Sequence, residues 1–135
     1  MADKQAISEI LNQAGVAYDI GDSDYLGAMF TDDATFSMII AGGDPIVFDG
    51  GPAIRKLFSD SMHDQSGEQR RHVVTNIHFT ADGADSATAV SYLILLVVAD
   101  GKMTVMSSGQ YTDDFVLEGG RWLIKKRHLD LDLPY

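Results

Sequence analysis

Cysteine is absent from the 135 residues of this sequence. Disulfide bridges, thiolate nucleophiles and cysteine-ligated metal centres are therefore excluded. Positive charge is scarce as well, because 10 Lys and Arg residues stand against 20 Asp and Glu residues and the formal net charge is −10. An electrostatic field of that sign repels phosphate backbones, so we expect no nucleic acid among the partners of this protein.

Long apolar runs are also missing. The most apolar stretch, YLILLVVA at 92–99, is far shorter than the ~20 residues that a membrane-spanning helix needs. The N-terminal MADKQAISEI lacks the basic and then apolar pattern of a signal peptide. We therefore expect a cytoplasmic protein without membrane contact. A hydrophobic content of 45% and the absence of linkers or repeats predict one globular domain over residues 1–135.

Apolar residues at helical spacing occur in three segments. The first helix is predicted over 3–20, with Asp3 as its N-cap. The second follows the GDSD turn, carries Phe30 on its apolar face and ends at the TDDA of 31–34. The third is predicted over 50–64, where a proline near the first turn favours helix initiation.

The other apolar segments alternate as strands do and are separated by Asp-Gly and Gly-Gly turns. The predicted strands are 35–40, 46–50, 70–80, 86–99, 102–117 and 121–131. Helices followed by a long meander is the order of an α+β fold. Long antiparallel strands coil strongly, and helices on the concave side leave a pocket with one open mouth. We expect three N-terminal helices packed on a strongly curved antiparallel sheet that forms a cone with an internal pocket.

Four segments, in this order, resemble SnoaL-like proteins of the nuclear-transport-factor-2-like superfamily. They are AYDIGDSDYLGAMFTDDATF, FDGGPAIRKLF, RRHVVTNIHF and GRWLIKKRHL. The pattern is closest to the LinA/scytalone dehydratase-like group, and the resemblance covers nearly the whole chain. It implies a single SnoaL-like domain with the cystatin-like α+β cone. This fold serves dehydratases, cyclases and isomerases as well as non-catalytic subunits, so it does not decide the function.

The resemblance places Asp19 and His72 on the catalytic aspartate and histidine of that group. A neutral histidine can accept a proton from carbon or oxygen, and a carboxylate on its other nitrogen fixes the tautomer and stabilises the imidazolium. Tyr18 precedes Asp19 and is a candidate acid or carbonyl polariser. Ala14 stands where bile-acid-dehydratase-like proteins have their tyrosine, which leaves Tyr18, Tyr25 or Tyr92 as substitutes.

The remaining histidines are weaker candidates. His63, after the third helix, and His78, near a turn, are predicted to be solvated. His128 shares its strand parity with Trp122, which we place inward, so His128 is a further catalytic candidate at the cavity mouth. Arg127 competes for that role, because adjacent residues cannot both face inward without a bulge.

Soft apolar and aromatic side chains are expected to line the pocket. The substrate-binding candidates are Met29, Phe36, Met38, Phe58, Tyr92, Met106 and Arg127. The predicted function is a cofactor-independent lyase or isomerase, dehydratase- or cyclase-like, that acts on a small apolar cyclic or carbonyl-bearing molecule through the His-Asp dyad. The alternative is a non-catalytic ligand-binding or oligomerisation module, including a dioxygenase small-subunit-like role.

The sequence predicts no cofactor and no metal site, since four histidines are scattered without metal-binding spacing and no Gly-rich segment has the spacing of a phosphate loop. It does predict a protein partner. Six apolar strand residues cannot all face inward: Val90, Leu93, Leu95, Val97, Met103 and Val105. We therefore expect a homodimer through the outer sheet face.

Overall fold

The structure, a computed structural model, describes residues 1–62 and 66–135. In this part of the chain, three helices pack on one curved, non-closed sheet of six strands, so the predicted α+β cone with an internal pocket is confirmed. The elements are α1 Lys4–Ile20, α2 Ser23–Ala28, β1 Phe30–Ile40, β2 Ile46–Asp49, α3 Gly51–Ser61, β3 Glu68–Asp82, β4 Ser86–Ala99, β5 Lys102–Glu118 and β6 Arg121–Leu131. The prediction for His63 lies outside the described residues.

The strands follow the order β2-β1-β6-β5-β4-β3 across the sheet. Neighbours are antiparallel except β1 and β6, which pair in parallel with Phe36 beside Arg127 and Met38 beside Leu129. The last strand of the meander therefore returns to the first strand of the chain. This pairing brings the inward side chains of β1 next to those of β6, and both strands contribute to the cavity.

Helix α1 begins and ends where its sequence directs. The Asp3 carboxylate accepts a hydrogen bond from the backbone N–H of Ala6 (3.0 Å), as the predicted N-cap requires. Gly21 ends the helix in the left-handed conformation, at φ 75°, so the chain turns directly after the last helical residues. No helix in the described ranges is long and apolar enough to cross a membrane. The cytoplasmic location stays a prediction.

The second helix is shorter than its sequence pattern predicts. It ends at Ala28, and the segment from Phe30 to Ala34 belongs to β1. The backbone N–H of Ile124 donates to the carbonyl of Met29 (2.7 Å), and Phe30 pairs with Ile124 in the sheet. Sheet pairing with β6 thus overrides the helical spacing of these residues, which is a weak local preference.

The core lies between the concave face of the sheet and helices α1 and α3. Its largest fully buried apolar side chains come from both layers: Ile7, Leu11, Leu26, Phe36, Ile54, Phe58, Leu93, Leu95, Phe115 and Ile124. Each contributes roughly 1.5–3 kcal/mol on leaving water. The core therefore fixes α1 and α3 against the strands that carry the polar residues of the cavity.

Irregularities in β3, β5 and β6 change which residues face inward. In β3 the register shifts between Thr75 and His78, and Asn76 adopts a positive φ of 54°. In β5 the shift leaves Met106 without a partner on β4, and in β6 it leaves Lys125 without a partner on β5. Each extra residue reverses the inward and outward alternation beyond it.

Candidate functional site

A cavity of about 280 Å³ opens on the concave side of the sheet, between α1, α3 and strands β1, β3, β5 and β6. Most of its wall is apolar, and the apolar residues are Phe36, Met38, Ile40, Leu57, Phe58, Leu129, Leu131 and Pro134. The polar groups in the wall are those of Ser61, His72 and three tyrosines, Tyr18, Tyr111 and Tyr135. No side chain lining it in the described part of the chain is an acid, a lysine or an arginine.

His72 is held by Asp19 through two hydrogen bonds to one oxygen. Asp19 Oδ1 accepts from the backbone N–H of His72 (2.9 Å) and from its ring Nδ1–H (2.8 Å). Both side chains are almost buried. A proton on Nδ1 leaves the lone pair of the neutral ring on Nε2. The ring is therefore fixed in orientation and tautomer, as a general base requires.

Helix α1 approaches β3 closely enough for this contact because residue 15 is glycine. Gly15 lies one turn before Asp19 on the same helix face. A Cβ at this position would lie 2.7 Å from the carbonyl oxygen of His72 and 3.6 Å from Val74. The helix backbone thus rests directly against the strand backbone that carries the histidine.

The protonation state of His72 follows from its surroundings. Burial lowers its pKa below the usual 6.5, and the hydrogen bond and charge of Asp19 raise it by less. The imidazole is consequently neutral at pH 7. Asp19 thus orients the ring through the proton on Nδ1, and Nε2 carries no proton in the resting state.

Tyr18 covers the imidazole from one side. Its ring stacks on His72 with centroids 4.6 Å apart and an interplanar angle of 16°. The rings of Tyr18 and Phe58 meet edge to face, with centroids 5.7 Å apart. Burial raises the pKa of Tyr18 well above its usual 10.0, so the hydroxyl remains protonated. The π face beside the ring favours the imidazolium form once His72 has accepted a proton.

Arg127 does face inward, but it forms a buried ion pair instead of lining the cavity. Its Nε and Nη2 donate to Asp113 Oδ1 (2.8 Å) and Oδ2 (3.2 Å), and both side chains are 1% exposed. Its Cζ lies 3.8 Å from the ring centroid of Tyr111, which does line the cavity. Burial lowers the pKa of Arg127, but the charge and hydrogen bond of Asp113 together with the nearby Tyr111 and Tyr18 raise it above its usual value.

His128 points to the outer face of the sheet. Its Nδ1 is 2.6 Å from Ser37 Oγ and its Nε2 is 3.3 Å from Asp130 Oδ1. The irregularity at Lys125 reverses the parity, so Trp122 and Arg127 are both inward and His128 is not. The predicted place of His128 at the cavity mouth is thereby corrected.

Three of the seven predicted substrate-binding residues line the cavity, and four, Arg127 among them, do not. Phe36, Met38 and Phe58 line it. Met29 instead borders a separate pocket with Trp122, and Tyr92 is 49% exposed. Met106 is the extra residue of β5 and is absent from the cavity wall.

Sequence reasoning missed Tyr111, Tyr135 and the aliphatic residues of β6 that complete the wall. Leu129 and Leu131 alternate with two aspartates, a pattern that indicates one buried face. The segment after β6 also lines the cavity, through Pro134 and Tyr135. Ser107 Oγ donates to the carbonyl of Leu133 (2.7 Å) and holds this segment in place.

Charged groups elsewhere in residues 1–62 and 66–135 do not form a comparable site. A pocket of about 520 Å³ is lined by residues that include Asp24, Asp32, Arg55 and Arg121. Arg55 lies 3.9 Å from Asp32 there, and none of the lining residues that the structure describes is a histidine. Within the described ranges no three His, Asp or Glu side chains converge as metal ligands would.

Comparisons with known proteins agree with the fold. No curated protein matches the sequence. Among solved structures, one described as the β subunit of an aromatic-ring-hydroxylating dioxygenase from Novosphingobium aromaticivorans is 19% identical, with a TM-score of 0.82 over 98% of this chain and 90% of that chain. ActVI-ORFA from Streptomyces coelicolor is 22% identical, with a TM-score of 0.80 over 95% of this chain and 96% of that chain.

A protein from Catenulispora acidiphila in complex with S-DNPA is 26% identical, with a TM-score of 0.75 over 95% of this chain and 92% of that chain. These likenesses concern the fold. The sequence itself matches one family, described as a SnoaL-like domain, over residues 1–128. The chain belongs to this SnoaL-like domain family.

Proposed function

We propose that this protein is a cofactor-independent lyase or isomerase in which His72 is the general base. The observation that carries the proposal is the hydrogen bond between Asp19 and His72 at the wall of an apolar cavity. A fixed, neutral imidazole in an apolar site is equipped to remove a proton from carbon or oxygen. The catalytic roles of these residues are our inference from that geometry.

The proposed first step transfers a substrate proton to His72 Nε2. The resulting imidazolium is stabilised by the Asp19 carboxylate on Nδ1 and by the ring of Tyr18 stacked on it. Tyr18, protonated at neutral pH, is a donor for an oxygen of the substrate. A cavity with little water strengthens each of these electrostatic interactions.

The cavity favours a small apolar substrate, either cyclic or carbonyl-bearing. Its volume of about 280 Å³ and its mainly aliphatic and aromatic wall suit such a molecule. A charged substrate would find no counterion among the lining residues that the structure describes. The S-DNPA complex of the similar protein from Catenulispora acidiphila supports small-molecule binding in this fold.

The test is turnover of a panel of cyclic β-hydroxy ketones, followed by the absorbance of the conjugated product. We expect His72→Ala and Asp19→Asn each to reduce kcat/KM by roughly 10²–10⁴, the usual contribution of general base catalysis. His78→Ala is the matched control, because His78 is exposed on the same strand and should leave turnover unchanged. A loss below about tenfold in both cavity variants would exclude the base role.

We also propose that two copies associate through the outer face of β3, β4 and β5. Apolar side chains are exposed there, namely Val73, Tyr92, Val98, Met103 and Val105. The segments 69–75, 92–98 and 102–110 contain no Asp or Glu. In a chain of net charge −10, a carboxylate-free apolar face is where a second copy can approach with the least repulsion.

The alternative function is a non-catalytic ligand-binding or oligomerisation module, for which the outer sheet face would be the surface of association. The observation that favours this alternative is the fold shared with the protein described as a dioxygenase β subunit. In that case the cavity residues would bind a ligand without transforming it. Absence of turnover across the panel, together with tight binding of an apolar ligand, would favour this alternative.

A further inference from the structure

We propose that Tyr111 is a further catalytic residue of the cavity, beside His72 and Tyr18, and that its hydroxyl hydrogen-bonds the substrate oxygen on which negative charge develops when His72 removes the proton. The buried Arg127–Asp113 pair acts as a positioning unit that holds the Tyr111 ring. This inference rests on the proposed function, and it identifies the substrate as a neutral molecule with an oxygen near the labile C–H bond.

The first support is the placement of Tyr111. It lies on the concave face of β5, is 3% exposed and lines the same cavity as His72. It pairs with Ser91 on β4 and with Leu129 on β6, so its backbone is fixed on both sides. A phenol with an immobile backbone can present its hydroxyl at a constant place in the cavity.

The second support is the contact between the Arg127 guanidinium and the ring of Tyr111. Arg127 Cζ lies 3.8 Å from the Tyr111 ring centroid, while two hydrogen bonds to Asp113 fix the guanidinium itself. This packing holds the plane of the ring. It explains why the chain retains an ion pair with both members buried, a feature that by itself adds little stability.

The third support is electrostatic. Burial raises the pKa of Tyr111 to about 12, and the nearby charge of Arg127 opposes this rise. The hydroxyl therefore stays protonated at neutral pH, as a hydrogen-bond donor must. Asp113 balances the charge of Arg127, so an anionic substrate would find no net positive charge behind the apolar wall.

The proposed step is balanced without any further reactant. The C–H bond beside a carbonyl group breaks and an N–H bond forms at His72 Nε2. The electron pair of the C–H bond moves into the carbon–carbon bond, and the carbonyl oxygen takes the negative charge. Tyr111 stabilises that oxygen by a hydrogen bond and keeps its own proton.

The experiment compares the binding of two probes, 4-nitrophenol and 4-nitroanisole. The phenolate with a proton on His72 imitates the charge distribution after proton transfer, whereas the methyl ether has nearly the same shape and cannot ionise. In Tyr111→Phe we expect the affinity for the phenolate, followed by its visible absorbance, to fall by at least about tenfold, as for a lost hydrogen bond to a charged group. The affinity for 4-nitroanisole should change less than twofold.

Two further variants complete the test. Tyr25→Phe is the matched control, because Tyr25 lies outside this cavity, and it should leave both affinities unchanged. Arg127→Gln combined with Asp113→Asn removes both charges together. This double variant should weaken phenolate binding when Tyr111 is present and have no further effect in the Tyr111→Phe background.

Three outcomes would overturn the proposal: equal weakening of both probes in Tyr111→Phe, no weakening of either, or failure of the unmodified protein to bind either probe. The binding measurements do not depend on turnover, so they separate this proposal from the proposed function. Weaker phenolate binding in Tyr111→Phe, without any His72-dependent turnover, would support the Tyr111 hydrogen bond and reject the proposed reaction. Turnover that depends on His72 and is unchanged in Tyr111→Phe would support the reaction and reject the role of Tyr111.

Discussion

Asp19 Oδ1 accepts a hydrogen bond from the backbone N–H of His72 and another from its ring, so a single oxygen sets both the position and the tautomer of the imidazole. An asparagine oxygen can accept the same two bonds. Asp19→Asn therefore removes the negative charge with little change in geometry. This variant separates the electrostatic contribution of Asp19 from its orienting contribution.

We predict that NMR titration gives a pKa for His72 below 6.5 and that Asp19→Asn lowers it further, because burial dominates and the Asp19 charge opposes it. Nitrogen chemical shifts should show the proton of the neutral ring on Nδ1. A pKa above 6.5 or a proton on Nε2 would contradict the arrangement.

The same shift connects pH to stability. Since the pKa of folded His72 lies below 6.5, the unfolded chain binds this proton first as the pH falls. Its contribution to stability is therefore present above about pH 6.5 and is lost as the pH falls through the lowered pKa.

The acid limb of kcat/KM should likewise lie below pH 6.5, because the neutral base persists to lower pH.

Among the elements, the contact between α1 and β3 determines whether the dyad can form. We predict that Gly15→Ala destabilises the fold by about 1–3 kcal/mol, the usual cost of overpacking, although alanine is the better helix former. Its Cβ would lie 2.7 Å from the carbonyl oxygen of His72. The displaced helix should lengthen the Asp19–His72 hydrogen bond and lower kcat. Urea unfolding and turnover measure the two effects.

Gly27→Ala is the matched control in α2. Its Cβ would meet Cγ of Arg55 at 2.7 Å, but that side chain is half exposed and can adopt another rotamer. We expect it to destabilise the fold less than Gly15→Ala, because a side chain and not a backbone carbonyl must move, and to leave turnover unchanged. If Gly15→Ala behaved in the same way, the close packing of α1 on β3 would not be required for the site.

Apart from the first half of β1, the strand ranges were predicted well from alternation, but the orientation of side chains beyond a bulge was not. His72 faces inward and His78 outward because an extra residue intervenes near Asn76. The same effect places Arg127 inward and His128 outward. A bulge depends on how two strands pair, which one sequence read locally does not contain. Met106 is the extra residue of β5 and His128 lies beyond that of β6, and the predicted positions of both needed correction for this reason.

At the scale of the whole molecule, the order of elements and the cone were predictable because long strands and N-terminal helices constrain the packing. The parallel pairing of β1 with β6 was not, since it joins distant segments. The Tyr111 site was missed for a related reason. Asp113 lies two residues after Tyr111 on β5 and therefore faces the same side of the sheet. An unpaired carboxylate is costly on a buried face, so the local sequence argues against an inward position for both residues. Only the partner strand shows that Arg127 neutralises it.

The outer sheet face leads to the last prediction, a homodimer at micromolar concentration. Val105, 63% exposed, lies on this face, and Val105→Glu should weaken dimerisation at least about tenfold by placing a charge in an apolar interface. Val47→Glu is the matched control, because Val47 is 58% exposed but lies on the edge strand β2. Sedimentation equilibrium measures both.

Salt dependence gives an independent check on the charge argument. Each copy carries a net charge of −10, so repulsion between two copies should be screened as the ionic strength rises. The dimer should therefore tighten from low to physiological salt. An interface made by complementary charges would weaken over the same range. A monomer under both conditions would mean that the apolar face between β3 and β5 is not an interface between two copies of this chain.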